Sequence, residues 1–218
     1  NNMGGVYYLQ GDYGKALEYY EKSLSIRRET LGERHPDVAE SYNNMGGVYY
    51  LQGDYGKALE CYEKSLSISM GTLGETHPNV AQSYNNMGRV YEKQGDYGKA
   101  LEYYEKSLSI YKETLGERHP NVAQSYNNMA MVYNSQGDYG KALEYNEKSL
   151  SIYKETFGER HPDVAQSYNN MADLLEKMND FGRALELYEK AMPIFNDAHN
   201  GKYDSYFQRK IDAVSYTH

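Results

Sequence analysis

Apolar residues recur along this chain at the spacing of an α-helix. In the stretch that follows residue 36, Val38, Tyr42, Met45 and Tyr49 stand at i, i+4, i+7 and i+11. A second helical series comes directly after it, made up of Tyr55, Ala58, Leu59, Tyr62 and Leu66. The pattern predicts two amphipathic helices in succession and leaves no segment for a β-strand.

This two-helix pattern repeats every 42 residues without a slip. The string Asn-Asn-Met begins at Asn1, Asn43, Asn85, Asn127 and Asn169. The pair His-Pro recurs with its proline at Pro36, Pro78, Pro120 and Pro162. Residues 1–26 and 43–68 differ only at Tyr19 against Cys61. Successive units must therefore have nearly the same structure, and stacking them would bury a continuous core.

Helix boundaries can be read from the residues between the two series. Pro36 suits the first position of a helix, and Asp37 lies in its positive first turn. Asp54 is the expected N-cap of the second helix, directly after the helix-ending Gly53. The second helix is expected to end near Leu73, with Gly74 taking a positive φ.

Each first helix carries a small residue at its centre. These residues are Gly4, Gly46, Gly88, Ala130 and Ala172. A glycine inside a helix costs about 1 kcal/mol relative to alanine, so a close approach of the paired helix must offset that cost. We expect Ala58 and its equivalents Ala16, Ala100, Ala142 and Ala184 to supply the other half of this contact.

The repeat resembles the tetratricopeptide family over essentially the whole chain. The resemblance is carried by Gly46, Tyr49, Gly53, Tyr55, Ala58 and Tyr62. The 42-residue length, with LGERHPDVA before the first helix and NNM within it, is similar to the repeats of kinesin light chains and of related nephrocystin-like and signalling-ATPase sensor arrays. The predicted fold is all-α, a right-handed superhelical solenoid of antiparallel helix pairs with about five repeats and a C-terminal capping helix.

The repeats predict the organisation of the chain. An array is expected over 1–203, with repeats at about 1–35 (truncated at its start), 36–77, 78–119, 120–161 and 162–203, and a capping helix with a tail over 204–218. Pro193 should kink or shorten the last second helix, because it removes a backbone donor. Asn146 replaces the aromatic residue found at Tyr62 and Tyr104, and should weaken the core of repeat 4 locally.

Charge and composition narrow the classes of partner. A net charge of −8 argues against nucleic acid and anionic membranes. One cysteine, Cys61, cannot form an internal disulfide, which fits a reducing compartment. The chain has neither an apolar run of the roughly 20 residues that span a bilayer nor a signal-like N-terminus. We therefore expect a soluble, cytoplasmic protein.

Recurring polar residues do not form a catalytic set. His35, His77, His119 and His161 occur once per repeat, too far apart to share one metal ion, and are expected to cap helices. Glu60 and Lys64, at i and i+4, are typical of a solvated helix face. A phosphate-binding loop, a nucleophile elbow and a Cys-His cluster are all missing from the sequence. We predict no enzyme activity and no cofactor.

The candidate site is a peptide groove lined by first helices, as the family resemblance implies. The second asparagine of each NNM string resembles the position of peptide-holding asparagines in tetratricopeptide grooves, and a carboxamide can both donate to and accept from a peptide backbone. The alternative is that these asparagines bond to the neighbouring helix. Three other first-helix positions vary between repeats, which indicates either specificity or surface drift. The predicted groove residues are Asn43, Asn44, Tyr50, Asn85, Asn86, Arg89, Asn127, Asn128, Met131, Asn134, Asn169 and Asn170.

These features favour a protein–protein interaction scaffold that binds an extended peptide, adaptor-like as in kinesin light chains. The paired cations of a carboxylate clamp are absent, and Arg89, Lys93 and Lys177 give little positive charge for the acidic cargo peptides of kinesin light chains. The alternative is a structural or self-associating arm or sensor array of a larger protein, with end-to-end contact through the truncated first repeat. In both cases the expected partner is a protein or peptide.

Overall fold

The computed structural model describes residues 2–199 and 201–215, and in these ranges it contains eleven α-helices and no strand. The first helices of the repeats are α1 (Asn2–Leu9), α3 (Pro36–Leu51), α5 (Pro78–Lys93), α7 (Pro120–Ser135) and α9 (Pro162–Lys177). The second helices are α2 (Tyr13–Leu31), α4 (Tyr55–Leu73), α6 (Tyr97–Leu115), α8 (Tyr139–Phe157) and α10 (Phe181–His199). The last helix is α11 (Asp204–Ser215). The predicted all-α fold of consecutive helix pairs is confirmed.

The chain divides into two compact units, Asn1–Thr114 and Leu115–His218. In the first unit the helices from α1 to α5 each pack against the next one along the chain. In the second unit the same holds from α7 to α11. The predicted repeat boundaries stay predictions, and the parts of them that fall on Asn1 and on 216–218 lie outside the described residues.

The first helices α3, α5, α7 and α9 each begin with a histidine N-cap. The Nδ1 atom of His35 accepts a hydrogen bond from the backbone N–H of Asp37 at 3.2 Å, and Pro36 occupies the first helical turn. The same bond recurs at 3.1, 3.1 and 3.3 Å at His77, His119 and His161. Because the ring nitrogen satisfies a donor that the helix leaves unpaired, the predicted capping role is confirmed.

Second helices begin at the expected aspartate and end at the expected glycine. Asp54 Oδ1 accepts from the backbone N–H of Lys57 at 3.2 Å, after Gly53 at φ 78°. The helix ends at Leu73, and Gly74 follows at φ 92°. A residue with a side chain is strained at such positive φ values, so both glycines fix the ends of helices.

Every helix pair except the one formed by α7 and α8 has a buried tyrosine ring at the position equivalent to Tyr62 in its core. A Cβ atom added to Gly46 would lie 2.6 Å from Cε1 of Tyr62, and one added to Gly88 would lie 2.8 Å from the ring of Tyr104. The three atoms nearest to such a Cβ at Gly46 belong to the ring of Tyr62. Ala58 is fully buried in the same cluster as Tyr62, and its predicted contact with the first helix stays a prediction. The glycines therefore make room for a ring that packs against the first helix.

Pro193 does not shorten its helix. Helix α10 passes through it and has 19 residues, the same length as α8. The φ angle of proline is that of a helix, so one lost hydrogen bond is compatible with continuation. Beyond Pro193, the ring of Phe195 packs against Tyr203 and against Phe207 of α11, at centroid distances of 5.5 and 5.2 Å. These contacts stabilise the last turns of α10.

Candidate functional site

Asparagines of neighbouring first helices are bonded to one another. Nδ2 of Asn86 on α5 donates to Oδ1 of Asn43 on α3 at 2.8 Å. In the second unit, Nδ2 of Asn170 on α9 donates to Oδ1 of Asn127 on α7 at 3.3 Å. In both units, the second asparagine of one repeat thus contacts the first asparagine of the preceding repeat. These four residues are only partly buried.

The variable positions of the first helices also meet between repeats. The guanidinium carbon of Arg89 lies 4.7 Å from the centroid of the Tyr50 ring, a cation–π contact between α5 and α3. Between α9 and α7, Nζ of Lys177 donates to Oδ1 of Asn134 at 2.8 Å. Met131 is 44% exposed on α7. The structure therefore brings predicted groove residues of adjacent repeats together in each unit.

Two of the predicted asparagines are more enclosed than the others. Asn128 is 7% exposed, and its Oδ1 accepts from Nε2 of Gln124 at 3.1 Å. Asn169 is 8% exposed, donates to Asp173 and accepts from the hydroxyl of Tyr206 on α11, both at 3.4 Å. Asn44 and Asn85 are half-buried. The second unit therefore uses part of its asparagine set for internal packing.

A cluster of charged groups surrounds Tyr188 at the end of the second unit. Its hydroxyl lies 2.6 Å from Oδ1 of Asp173 and 2.8 Å from Oε2 of Glu176. Nζ of Lys210, from α11, lies 3.0 Å from the same two oxygens. Burial and these acidic partners raise the pKa of Tyr188. Burial would raise the pKa of Glu176, but the hydrogen bonds from Tyr188 and Lys210 outweigh it and lower that pKa.

The sequence alone does not indicate that these charged groups meet around Tyr188. Asp173 and Glu176 stand at first-helix positions that vary between repeats, whereas Lys210 comes from a helix with a weak apolar pattern. It lies more than 30 residues away from either acid along the chain. Only the packing of α11 brings them together, so no local signal could have identified the contact.

A cavity of about 530 Å³ lies beside this cluster, in the second unit. Its lining includes Ala130, Met131, Asn134, Asn146, Asn170, Asp173, Leu174, Glu176, Lys177 and Lys210. Asn146 is 3% exposed, and its Oδ1 has no hydrogen-bond partner among the described residues. Three predicted groove residues, Met131, Asn134 and Asn170, therefore border the same cavity as Asn146.

Within 2–199 and 201–215, no group of three or more His, Cys, Asp or Glu residues is placed to hold a metal ion. None of the helices in these ranges is long and apolar enough to cross a membrane.

The chain consists of consecutive helix pairs with a fixed period, and these pairs have the same caps and contact each other through equivalent residues. It is therefore a helical-repeat protein. The family model for the tetratricopeptide repeat matches residues 1–70, 41–113, 80–155 and 121–197. The chain belongs to the tetratricopeptide repeat family. Its repeat fold is of a non-enzymatic scaffold type.

Known structures and curated proteins give further similarities. The crystal structure of BtubC (BKLC) from P. vanneervenii is 28% identical, with a TM-score of 0.78 over 91% of this chain and 78% of that one. The putative kinesin light chain with nearly identical TPR-like repeats from Podosopora anserina is 26% identical, with a TM-score of 0.73 over 91% of this chain and 94% of that one.

Among curated proteins, a nucleotide-binding leucine-rich repeat (NLR)-like protein from Hyaloscypha variabilis is 42% identical over 43 residues. These residues are 20% of this chain and 4% of the relative. The chain therefore matches only a small part of that protein's length.

Proposed function

We propose that this chain is a scaffold for protein–protein interaction that binds an extended peptide segment along its first helices. The tetratricopeptide repeats and the TPR-like structural relatives support the scaffold role. The observation that carries the peptide site is the set of linked asparagines, Asn86 with Asn43 and Asn170 with Asn127. No catalytic step is part of this proposal.

The carboxamide chemistry of these asparagines suits a peptide backbone. A carboxamide has two N–H donors and an oxygen that accepts two hydrogen bonds, so one bond to a neighbouring asparagine leaves further capacity on each side chain. The bond between Asn86 and Asn43 also fixes both side chains, which lowers the entropy lost when a ligand is bound. An extended peptide presents alternating N–H and C=O groups that such a row can pair.

The variable positions supply the specificity in this proposal. Near Asn86, the aromatic ring of Tyr50 and the cation of Arg89 form one surface. Near Asn170, the surface consists of Met131, Asn134 and Lys177, which combine an exposed thioether with polar groups. Each unit therefore offers a partner different side chains beside an equivalent linked pair of asparagines.

An adaptor role and a cytoplasmic location complete the proposal. The Podosopora anserina chain is described as a putative kinesin light chain, and its similarity to this chain favours a role that links one protein to another. No partner identity follows from that similarity. Candidates have to be found by selection from a library of short peptides.

The test begins with such a selected peptide and two variants on α5. Asn86→Ala should weaken binding by at least about tenfold, because the bound backbone loses its partner and Asn43 loses its donor. Gln94→Ala removes an exposed carboxamide at the C-terminal end of the same helix and should leave the affinity unchanged. Titration calorimetry measures both. Equal affinities for Asn86→Ala and the unaltered chain would show that the asparagines do not hold the peptide.

A second candidate function is self-association through α1. The side chain of Leu9 is 85% exposed on this helix, and those of Met3 and Val6 are about half exposed. Sedimentation velocity at increasing concentration tests this candidate. A sedimentation coefficient that does not change with concentration would exclude it.

A further inference from the structure

Repeat 4 lacks a ring that the other repeats possess. In repeat 3 the ring of Tyr104 lies against Gly88, and its hydroxyl donates to Oε2 of Glu92 at 2.9 Å. The equivalent rings are Tyr20, Tyr62 and Tyr188. In repeat 4 the three matching positions hold Asn146, Ala130 and Asn134. The second helix there carries a short carboxamide where the other repeats carry a phenol.

A cavity of about 530 Å³ borders the position of the missing ring. Its lining includes Asn146, at the position of the phenol, and Ala130 and Asn134, at the positions of Gly88 and Glu92 that contact the phenol in repeat 3. Leu174 of α9 supplies an apolar wall. Such a volume lies in the range of small-ligand sites. The cavity beside Asn146 is therefore lined by residues that correspond to those around the tyrosine ring of repeat 3.

The polar group at this cavity needs a partner. The Asn146 side chain is almost completely buried, and its Oδ1 has no hydrogen-bond partner among the described residues. A buried acceptor without a partner is unfavourable for the folded state, and a ligand that supplies a hydrogen bond relieves that cost. This requirement points to a ligand with a hydrogen-bonding group at its tip.

The charges around the cavity favour a neutral ligand. Two acidic and two basic side chains line it, Asp173 and Glu176 with Lys177 and Lys210. Lys210 is paired with both acids, and Lys177 donates to Asn134. A charged ligand of either sign would lie near a side chain of the same charge, and the ligand would also lose its hydration on binding. A ring with one neutral polar atom avoids both costs.

We propose that this cavity binds the tyrosine side chain of a partner peptide, with the ring between Ala130 and Leu174 and the hydroxyl paired with Asn146. A phenol hydroxyl both donates and accepts, so it can pair with the carboxamide in either orientation. Asn134 and Asn170 border the same cavity, which places the tyrosine beside the asparagines of the proposed peptide site. The inference rests on the proposed function and names one feature of its ligand.

The first experiment uses p-cresol, the tyrosine side chain alone, and toluene, which lacks the hydroxyl. Both are titrated into the full 218-residue chain labelled with ¹⁵N, and the side-chain amide resonance of Asn146 is followed. We expect saturable shifts of this resonance with p-cresol and much weaker binding of toluene. Equal binding of the two compounds, or an Asn146 resonance that does not move, would overturn the proposal.

Two double variants test the location of the site. Ala130→Gly with Asn146→Tyr restores the ring of the other repeats, and it should remove p-cresol binding. Gly88→Ala with Tyr104→Asn gives repeat 3 the small residue and the carboxamide of repeat 4, and it should add a second p-cresol site. Circular dichroism checks that both variants are folded. If the filled variant does not fold, the Asn146 resonance of the unaltered chain decides the question. Unchanged p-cresol binding in a folded, filled variant would contradict the proposal.

The variant Asn86→Ala separates this inference from the proposed function. Asn86 lies in the other unit and does not line the cavity. If p-cresol fails to bind while peptide affinity still depends on Asn86, only the tyrosine site is wrong. If p-cresol binds and peptide affinity is independent of Asn86, only the backbone-binding row is wrong.

Discussion

Cys61 shows how one residue adapts to a position that the repeat normally gives to an aromatic ring. Its equivalents Tyr19, Tyr103 and Tyr145 pack against a tyrosine ring of the paired first helix, with centroid distances of 5.4, 5.3 and 5.2 Å. Cys61 is smaller, is 7% exposed and belongs to the core around Tyr20 and Val48. Burial raises the pKa of its thiol to about 11.

This burial predicts a slow reaction with alkylating agents. At pH 8 a thiol with a pKa near 11 is about a hundredfold less ionised than one near 9, and the thiolate is the reactive form. Part of this difference is offset by the greater nucleophilicity of the more basic thiolate. We expect iodoacetamide to modify native Cys61 at least about tenfold more slowly than the urea-unfolded chain. Mass spectrometry gives both rates, and equal rates would contradict the burial of Cys61.

At the scale of the helix pair, the small residue of the first helix and the ring of the second helix act together. Gly88 accepts the ring of Tyr104, whereas Ala130 faces the shorter Asn146. In repeat 5 Ala172 and Tyr188 are both fully buried, and the hydroxyl of Tyr188 is held by acidic groups of α9. These two positions therefore hold glycine with tyrosine in repeats 1 to 3, alanine with asparagine in repeat 4 and alanine with tyrosine in repeat 5.

This coupling can be measured with a double-mutant cycle in repeat 3. Gly88→Ala should destabilise the chain by about 1–2 kcal/mol, because overpacking against Tyr104 outweighs the gain in helix propensity. In a chain that already carries Tyr104→Asn, the same change should stabilise by up to about 1 kcal/mol. Urea unfolding provides the four free energies. Additive effects would show that the ring and the glycine are independent.

Gly47→Ala is the matched control for that cycle. It also lies inside a first helix, but an added Cβ would be 3.9 Å from the nearest atom, the hydroxyl oxygen of Tyr62. The new methyl group therefore meets ordinary contact distances. We expect this variant to be more stable than the unaltered chain by up to about 1 kcal/mol.

For the whole molecule, the buried tyrosines determine how stability depends on pH. Burial is the largest cause that raises the pKa values of Tyr62, Tyr104 and Tyr188, and the acidic Glu92 adds to it at Tyr104. Their ordinary pKa is 10.0. Above pH 10 the unfolded chain loses protons that the native chain keeps. The stabilisation is complete below pH 10 and decreases as the pH rises further.

We therefore expect the free energy of unfolding to fall as the pH rises above 10. Each of these tyrosines contributes up to about 1.4 kcal/mol per pH unit to this slope. Tyr62→Phe keeps the ring and removes one titrating group, so its slope should be smaller by that amount. Urea titrations at pH 8, 9, 10 and 11 test both statements. A free energy that stays constant up to pH 11 would contradict them.

The sequence by itself determined the local features of this protein. The histidine and aspartate caps and the terminating glycines depend on residues within one turn of each other, and the 42-residue period repeats them along the chain. Such signals can be read directly, because a cap or a positive φ involves only neighbouring backbone groups. The family and the helix-pair fold followed from the same features.

The tertiary structure decided which distant side chains meet. It placed Tyr62 rather than Ala58 nearest to Gly46, linked Asn86 with Asn43, and brought Lys210 to Glu176. It also left a cavity at Asn146. These features depend on the packing of helices far apart in the chain and on volumes that no single residue reveals. The sequence therefore identified the recurring asparagines. Only the packing shows which of them are bonded between repeats, as Asn86 is to Asn43, and which are enclosed, as Asn128 and Asn169 are.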